Sequence, residues 1–216
     1  MNEALWRDAC AVSHSHPDLL RRMIEQGTPG NVLEGGTAGG GSALALLELV
    51  PVDWHFLVTV DPWGTRPYAT SSARYGENFQ RGALCTIGNW AYDLGKNWHH
   101  FKMESLEFFE HVAPLGCWYG GEHRDYRFDT VFLDGEHMVE TVIQELWFLR
   151  GKSQIFPLEP CLNPNAVIFV DNANHEQGKG IGMEQALQMW ADENRFTLKL
   201  IPLPDNDLLA ELRAAE

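Results

Sequence analysis

Two groups of residues have the types and spacing to do chemistry. The first is the run 31–49, NVLEGGTAGGGSALALLEL. Val32 and Leu33 are apolar, Glu34 closes that short run, and Gly35, Gly36, Gly39, Gly40 and Gly41 crowd the next seven positions. Helix formers fill 43–50 and Pro51 stops them. A strand, a glycine turn and a helix N-terminus in that order make a cradle. Glycines admit a ligand close to the main chain, and the helix start offers unpaired N–H groups and partial positive charge. Gly36-x-Ala38-x-x-Gly41 taken alone is a degenerate dinucleotide fingerprint. The second group is Asp134 with Asp171-Asn172, each placed where an apolar run ends. Two carboxylates and an amide oxygen are a hard, oxygen-only set suited to Mg²⁺, or to Ca²⁺ or Mn²⁺. Without a cation, such carboxylates repel and partly protonate.

The elements that must position these groups follow from pattern. Residues 1–28 read as one or two short helices, with Leu5, Trp6, Ala9 and Cys10 on one face and Leu19, Leu20, Met23 and Ile24 on the next. Pro17 suits a first helical turn. The run 56–60 is a strand that ends at Asp61, about 20 residues beyond the glycine turn, where nucleotide folds place the acid for ribose hydroxyls. Residues 83–94 read as a helix, 101–103 as a brief strand ending in Glu104-Ser105, and 106–112 as a helix. FDTVFL at 128–133 is the next strand. It precedes Asp134-Gly135-Glu136-His137 and an amphipathic helix over 138–149. The wholly apolar 166–170 suits the middle of a parallel sheet. A helix over 183–193 and an antiparallel hairpin from 196–203 and 208–212, turning at Pro204-Asp205-Asn206-Asp207, complete the chain. The segments 62–98 and 114–127 are long for single connections, and long connections are often lids or binding loops. The second of them is expected to be irregular, either facing substrate or as a surface insertion. Right-handed β-α units put every strand's carboxyl end on one edge, so Glu34, Asp61, Glu104, Asp134 and Asp171 should gather there.

The totals bound the function. A chain of 216 residues makes one α/β domain, 1–216, with no room for a full second one. A net charge of −14 argues against nucleic acid or an anionic membrane as partner. Cys10, Cys85, Cys117 and Cys161 form no Cys-x-x-Cys pair, so reduced thiols and a cytoplasmic location are expected. There is no N-terminal apolar stretch of signal type and no run of membrane-spanning length.

VLEGGTAGGGS resembles the first motif of class I S-adenosylmethionine (SAM) methyltransferases, in which a strand ends in Glu or Asp, glycines turn, and Ser or Thr opens the helix. FDTVFLDGEH followed by AVIFVDN is similar to the cation-dependent O-methyltransferases of catechol and caffeoyl-CoA type, and to macrolide-sugar O-methyltransferases. The resemblance spans roughly 30–212. It implies a doubly wound, mostly parallel, seven-stranded Rossmann-like sheet with a C-terminal antiparallel hairpin. It also implies a SAM site at Glu34, Gly36, Gly40, Ser42 and Asp61, with Glu104 and Ser105 near the adenine and Asp134 touching the cofactor. Asp134, Asp171 and Asn172 then hold Mg²⁺ or another divalent cation. The family's base lies three residues after the first Asp; there it is Lys, and here it is His137. An unperturbed imidazole, with a pKa near ~6.5, suits that work; His175 and Lys179 compete for it. The acceptor is expected to be a small hydroxylated molecule, and a homo-oligomer stays open. Asn163-Pro164-Asn165 replaces the family's usual Gly-Gly before the fifth strand. The other readings are a hydroxylase-like enzyme on the same fold, a non-catalytic cofactor-binding module, and a NAD-dependent enzyme.

Overall fold

The computed structural model describes residues 2–13, 15–63, 77–135, 138–152, 158–174 and 181–215. Its elements run α1 (Glu3–Val12), α2 (Pro17–Gln26), β1 (Val32–Gly35), α3 (Gly41–Leu46), β2 (Phe56–Val60), α4 (Glu77–Asp93), β3 (Asn97–Phe101), α5 (Ser105–Glu107), β4 (Cys117–Tyr119) and β5 (Glu122–Arg124). They continue with β6 (Phe128–Leu133), α6 (Val139–Leu149), β7 (Leu162–Val170), α7 (Met183–Asn194), β8 (Phe196–Pro202) and β9 (Leu208–Ala214). The main sheet has seven strands in the order β3-β2-β1-β6-β7-β9-β8. Its first five strands are parallel, and β9 enters antiparallel between β7 and β8. This is the doubly wound sheet with a closing hairpin that the sequence implies. The order reverses between β1 and β6, the switch point at which such sheets bind ligands.

Alternating side chains divide the core into two layers. Leu33, Val58, Val131, Ile168 and Leu212 face α6 and α7. Val32, Leu57, Phe132, Phe169 and Leu209 face α1, α2 and α3. The short helices start where capping chemistry allows. Asn2 Oδ1 accepts from the amides of Ala4 and Leu5, and His16 Nδ1 accepts from Asp18 ahead of Pro17 in the first turn of α2. No described helix is long and apolar enough to cross a membrane.

Several boundaries differ from the sequence reading; α4, for one, begins at Glu77 rather than at 83. β3 covers 97–101 rather than 101–103, because NWHHF, half-buried throughout, pairs residue for residue with β2. β7 begins at Leu162 and runs through Pro164, where the register against β6 shifts between Phe128 and Thr130; a bulge is where a strand tolerates proline. The segment 114–127 is not irregular. It holds the β4–β5 hairpin, turned on Gly120 and Gly121 at φ 58° and 85°. The hairpin leads into the start of β6, and Tyr119 Oη reaches Asp53 O ahead of β2. It therefore lies on the amino-terminal edge of the sheet, opposite Glu34, Asp61, Asp134 and Asp171.

One buried ion cluster ties the N-terminal helices to the closing hairpin. Glu211 on β9 accepts from Arg22 Nη2 at 2.9 Å and from Arg213 Nε at 2.8 Å. Arg22→Ala leaves Glu211 with one partner in a nearly dry site. The expected loss is about 1–2 kcal/mol, or roughly 2–8 °C in Tm, read by thermal and urea unfolding. An unchanged melt would show that Arg213 alone satisfies the carboxylate.

Candidate functional site

The carboxyl edge is built by the main chain. Beyond the strand ends, the amide of Gly36 bonds Val60 O, that of Asp61 bonds Phe101 O, that of Asp134 bonds Gly35 O, and that of Asp171 bonds Leu133 O, at 2.7–3.1 Å. Glu34, Asp61, Asp134 and Asp171 are thereby brought to one edge. Gly36 turns the chain at φ 92°, and a Cβ there would stand 2.1 Å from Asp134 O, so only glycine fits between β1 and β6. Gly40, also left-handed at φ 84°, opens α3. A cleft of about 10 Å³, room for one water, is lined by Gly36, Thr37, Ala38, Ser42 and Asp134, with Ser13 and Ser15 on its far wall.

Glu34 is fully buried at the foot of this turn. Among the described residues neither of its carboxylate oxygens has a partner in hydrogen-bond geometry, and neither does the Thr37 hydroxyl. Burial pushes Glu34 up to about 8; the neighbouring Ser42 and Thr37 hydroxyls hold it back, and Asp61 adds to the rise. Asp61 is equally buried, but its oxygens are in use. Oδ2 accepts from the Ala38 amide at 2.9 Å and Oδ1 from the Trp63 amide at 2.8 Å. Trp63 closes a ring of contacts. Its indole N–H donates to Ala38 O at 3.1 Å, and its face lies 4.5 Å from the ring of His100. Ala38 and Trp63 both carry positive φ, 41° and 22°, which side chains other than glycine rarely adopt.

Asp134 and Asp171 meet side by side. Asp134 is held well above the usual carboxylate range, first by burial and then by Asp171, with Glu34 and Asp207 contributing. Burial and then Asp207 raise Asp171 to about 6, while hydrogen bonds from Asp134 and the Asn172 amide restrain it. One proton shared between the two carboxyls is the expected form at moderate pH. Asn172, left-handed at φ 53°, donates Nδ2 to Asp171 Oδ2 at 2.7 Å, so a half-turn of its amide presents the oxygen instead. Among the described residues no three His, Cys, Asp or Glu side chains converge as a metal cage.

Other expected residues lie elsewhere or outside the description. Glu104 is the N-cap of α5, in a reciprocal capping box with Glu107. Ser105 turns its hydroxyl to Glu145 on α6. His137, His175 and Lys179 fall outside the described residues, as does 64–76 of the expected 62–98 loop. Sequence reading missed Asp207 and Trp63. Asp207 reads as one more polar residue of a turn. It reaches the acid pair because Ala173 N bonds Leu208 O at 2.7 Å and Asn174 Nδ2 bonds Asn206 O at 2.6 Å, stitching the loop after β7 to the hairpin. Trp63 reads as a core aromatic, and no spacing rule marks it.

No family model and no curated protein matches the sequence. Solved structures do match the fold. The O-methyltransferase TomG of Streptomyces achromogenes, involved in tomaymycin synthesis and solved with SAM, is 20% identical, with a TM-score of 0.62 over 100% of this chain and 91% of its own. Cofactor-bound Rv0187 from MTB is 17% identical, with a TM-score of 0.64 and the same coverage. The SAH-bound methyltransferase PaMTH1 of Podospora anserina is 15% identical at a TM-score of 0.58, over 100% of this chain and 89% of that one. The chain has the Rossmann-like fold of class I SAM methyltransferases.

Glu34 and Asp171 retain protons that the unfolded chain has already lost above its ordinary carboxylate pKa values. The unfolded state therefore binds fewer protons, and stability falls as pH rises, from about 4 to about 6 for Asp171 and on to about 8 for Glu34. Glu34→Gln is expected to remove the Glu34 share of the decline, which runs from about pH 4.5 to about 8, and to leave the share of the acid pair. Thermal melts across pH 4–9 read this, and a wild-type melt level through that range would count against a protonated, buried Glu34. Gly36→Ala is expected to lose cofactor binding or the fold itself, since its methyl has no room against Asp134 O.

Proposed function

We propose that this chain is a SAM-dependent O-methyltransferase whose acceptor is a small hydroxylated molecule, a diol, catechol or sugar, bound with a divalent cation, Mg²⁺ foremost. The observation that carries the reading is Glu34, a fully buried carboxyl under a glycine turn whose oxygens, among the described residues, meet only the nearby Ser42 and Thr37 hydroxyls and none in good hydrogen-bond geometry. A buried acid of that kind calls for a cation or donors from a ligand. The ammonium of SAM's amino-acid part suits it, and the glycine turn supplies main-chain approach to the same end of the molecule. Thr37 and Ser42 offer hydroxyls beside it. Asp61, which holds Ala38 and Trp63 in place, is the acid this reading assigns to the ribose hydroxyls. Three solved structures with this fold are described as methyltransferases or cofactor complexes, two of them with SAM or SAH.

The acid pair supports the metal. Asp134 and Asp171 hold a proton they would give up to a cation, and the Asn172 amide and Asp207 stand at hand. Such an ion would lower the pKa of an acceptor hydroxyl and fix its oxygen in place. SAM supplies an already activated sulfonium methyl, so the protein's task is alignment and removal of one proton. His137, on the segment after Asp134, is the base in this reading. His175 and Lys179 are the competing groups. Free thiols at Cys10, Cys85, Cys117 and Cys161 fit a reducing, cytoplasmic setting.

Calorimetric titration with S-adenosylhomocysteine, with and without Mg²⁺ and against NAD, tests the cofactor. Micromolar binding of the first and none of NAD is expected; binding of neither favours a non-catalytic module. Asp61→Ala should weaken S-adenosylhomocysteine by roughly tenfold. Asp171→Ala should leave that affinity largely intact but lower turnover by roughly a hundredfold and remove its response to EDTA. Wild-type turnover in Asp171→Ala with EDTA present would sink the metal role.

A further inference from the structure

We propose that Trp63 is a positioning residue for the cofactor cradle: its indole N–H, bonded to Ala38 O, completes a clamp that holds the glycine turn at a fixed distance from Asp61. The identity of the ligand rests on the methyltransferase reading; the clamp itself does not. Ala38 lines the cleft with Gly36, Thr37 and Ser42, so where it goes the main chain of the turn follows. Its φ of 41° is strained for a residue with a side chain, and the surroundings must offset that cost. Both of its main-chain polar groups are held from the end of β2. The amide donates to Asp61 Oδ2 at 2.9 Å, and the carbonyl accepts from Trp63 Nε1 at 3.1 Å. The circuit closes on itself, because the Trp63 amide donates to Asp61 Oδ1 at 2.8 Å.

The two halves of the clamp are not interchangeable. A carboxylate accepts hydrogen bonds and can hold only the amide of Ala38. Its carbonyl needs a donor, and an indole is a donor only. Trp63 is 1% exposed and is moored in its turn to the sheet. Its ring lies 4.5 Å from that of His100 on β3, and His100 Nδ1 is 2.9 Å from Thr59 Oγ1. The same hydroxyl oxygen accepts from Trp98 Nε1 at 3.0 Å, and Thr59 is fully buried on β2. Burial pushes His100 down to about 4, which keeps an uncharged ring against the indole in neutral solution. The other neighbours of the turn act differently. Val12 and Ser13 crowd Gly39 and Gly41 and only limit the turn from outside, whereas the indole binds it. A turn and an acid set at their spacing beforehand lose little freedom when a ligand bridges them.

Trp63→Phe keeps an aromatic ring and removes the donor. Calorimetry of the full chain should show S-adenosylhomocysteine binding weakened roughly five- to tenfold. Hydrogen exchange of the Ala38 amide, read by NMR without ligand, should quicken by a similar factor. Trp190→Phe is the control. Trp190 is 2% exposed, and among the described residues its Nε1 has no partner, so this variant should lower Tm yet leave both readings at wild type. Wild-type affinity or unchanged Ala38 exchange in Trp63→Phe would overturn the proposal. So would an equal loss of affinity in Trp190→Phe, which would report general loosening. Should Trp63→Phe not fold, the wild-type indole proton decides. It is expected to exchange far more slowly than that of Trp118, 75% exposed, and an equal rate would overturn the clamp. A wild-type chain that binds no S-adenosylhomocysteine would count against the methyltransferase reading, while exchange at Ala38 and at the indole still decides whether Trp63 holds the turn.

Discussion

Everything at the candidate site depends on the last rung of the parallel ladder. Each strand end is tied to its neighbour by the amide of a residue just past it: Gly36 to β2, Asp61 to β3, Asp134 to β1 and Asp171 to β6. Main-chain bonds of this kind are slanted and evenly spaced, and they fix position without regard to side-chain charge. The sheet therefore forces four carboxyl groups onto one edge and denies them room to separate. Burial, and then their mutual repulsion, is met by retained protons on Glu34, Asp134 and Asp171, which in the proposed function leaves the edge ready to exchange a proton for a better cation.

The proposed function calls for two such exchanges, and they differ in kind. Glu34 lies beside the Ser42 and Thr37 hydroxyls, with Asp61 and Asp134 acting on it only as more distant charges, and suits a single positive charge with hydrogen-bond donors. Asp134 and Asp171 face each other with Asp207 contributing field from the hairpin, which suits an ion of higher charge. The partition follows the topology. Glu34 belongs to the first half of the sheet, whereas the pair needs β6, β7 and the closing hairpin.

What was legible in the sequence was the part carried by local pattern. The apolar runs, the acids that end them and the glycine crowding place Glu34, Asp61, Asp134 and Asp171 on one edge before any coordinates. Contacts between distant residues were not legible. Glu104 and Ser105 do stand at the end of a strand, yet the capping box and Glu145 claim their side chains. Asp207 reaches the acid pair only through bonds across the hairpin. Pro164 argues against a long β7 until the bulge opposite Phe128 and Thr130 gives it a place. The 114–127 segment lacks a strand pattern long enough to see, since three-residue strands make only one alternation.

The close fit of the first helix to the glycine turn bears on the order in which the molecule is assembled. A Cβ on Gly39 would touch Val12 O at 2.5 Å and one on Gly41 would touch the Ser13 backbone at 2.5 Å or less, so the end of α1 is pressed onto the turn. Apart from Asp134, which lines one side of the cleft, the pieces of that cradle, from Val12 through Asp61, lie within the first third of the chain, and their loops are cheap to close. The acid pair joins residues 134, 171 and 207, with longer stretches to bring together. As the chain leaves the ribosome, the cradle has all but Asp134 of its residues long before the acid pair is complete. Under the proposed function, a chain interrupted midway would carry most of the cofactor cradle and none of the completed acid pair.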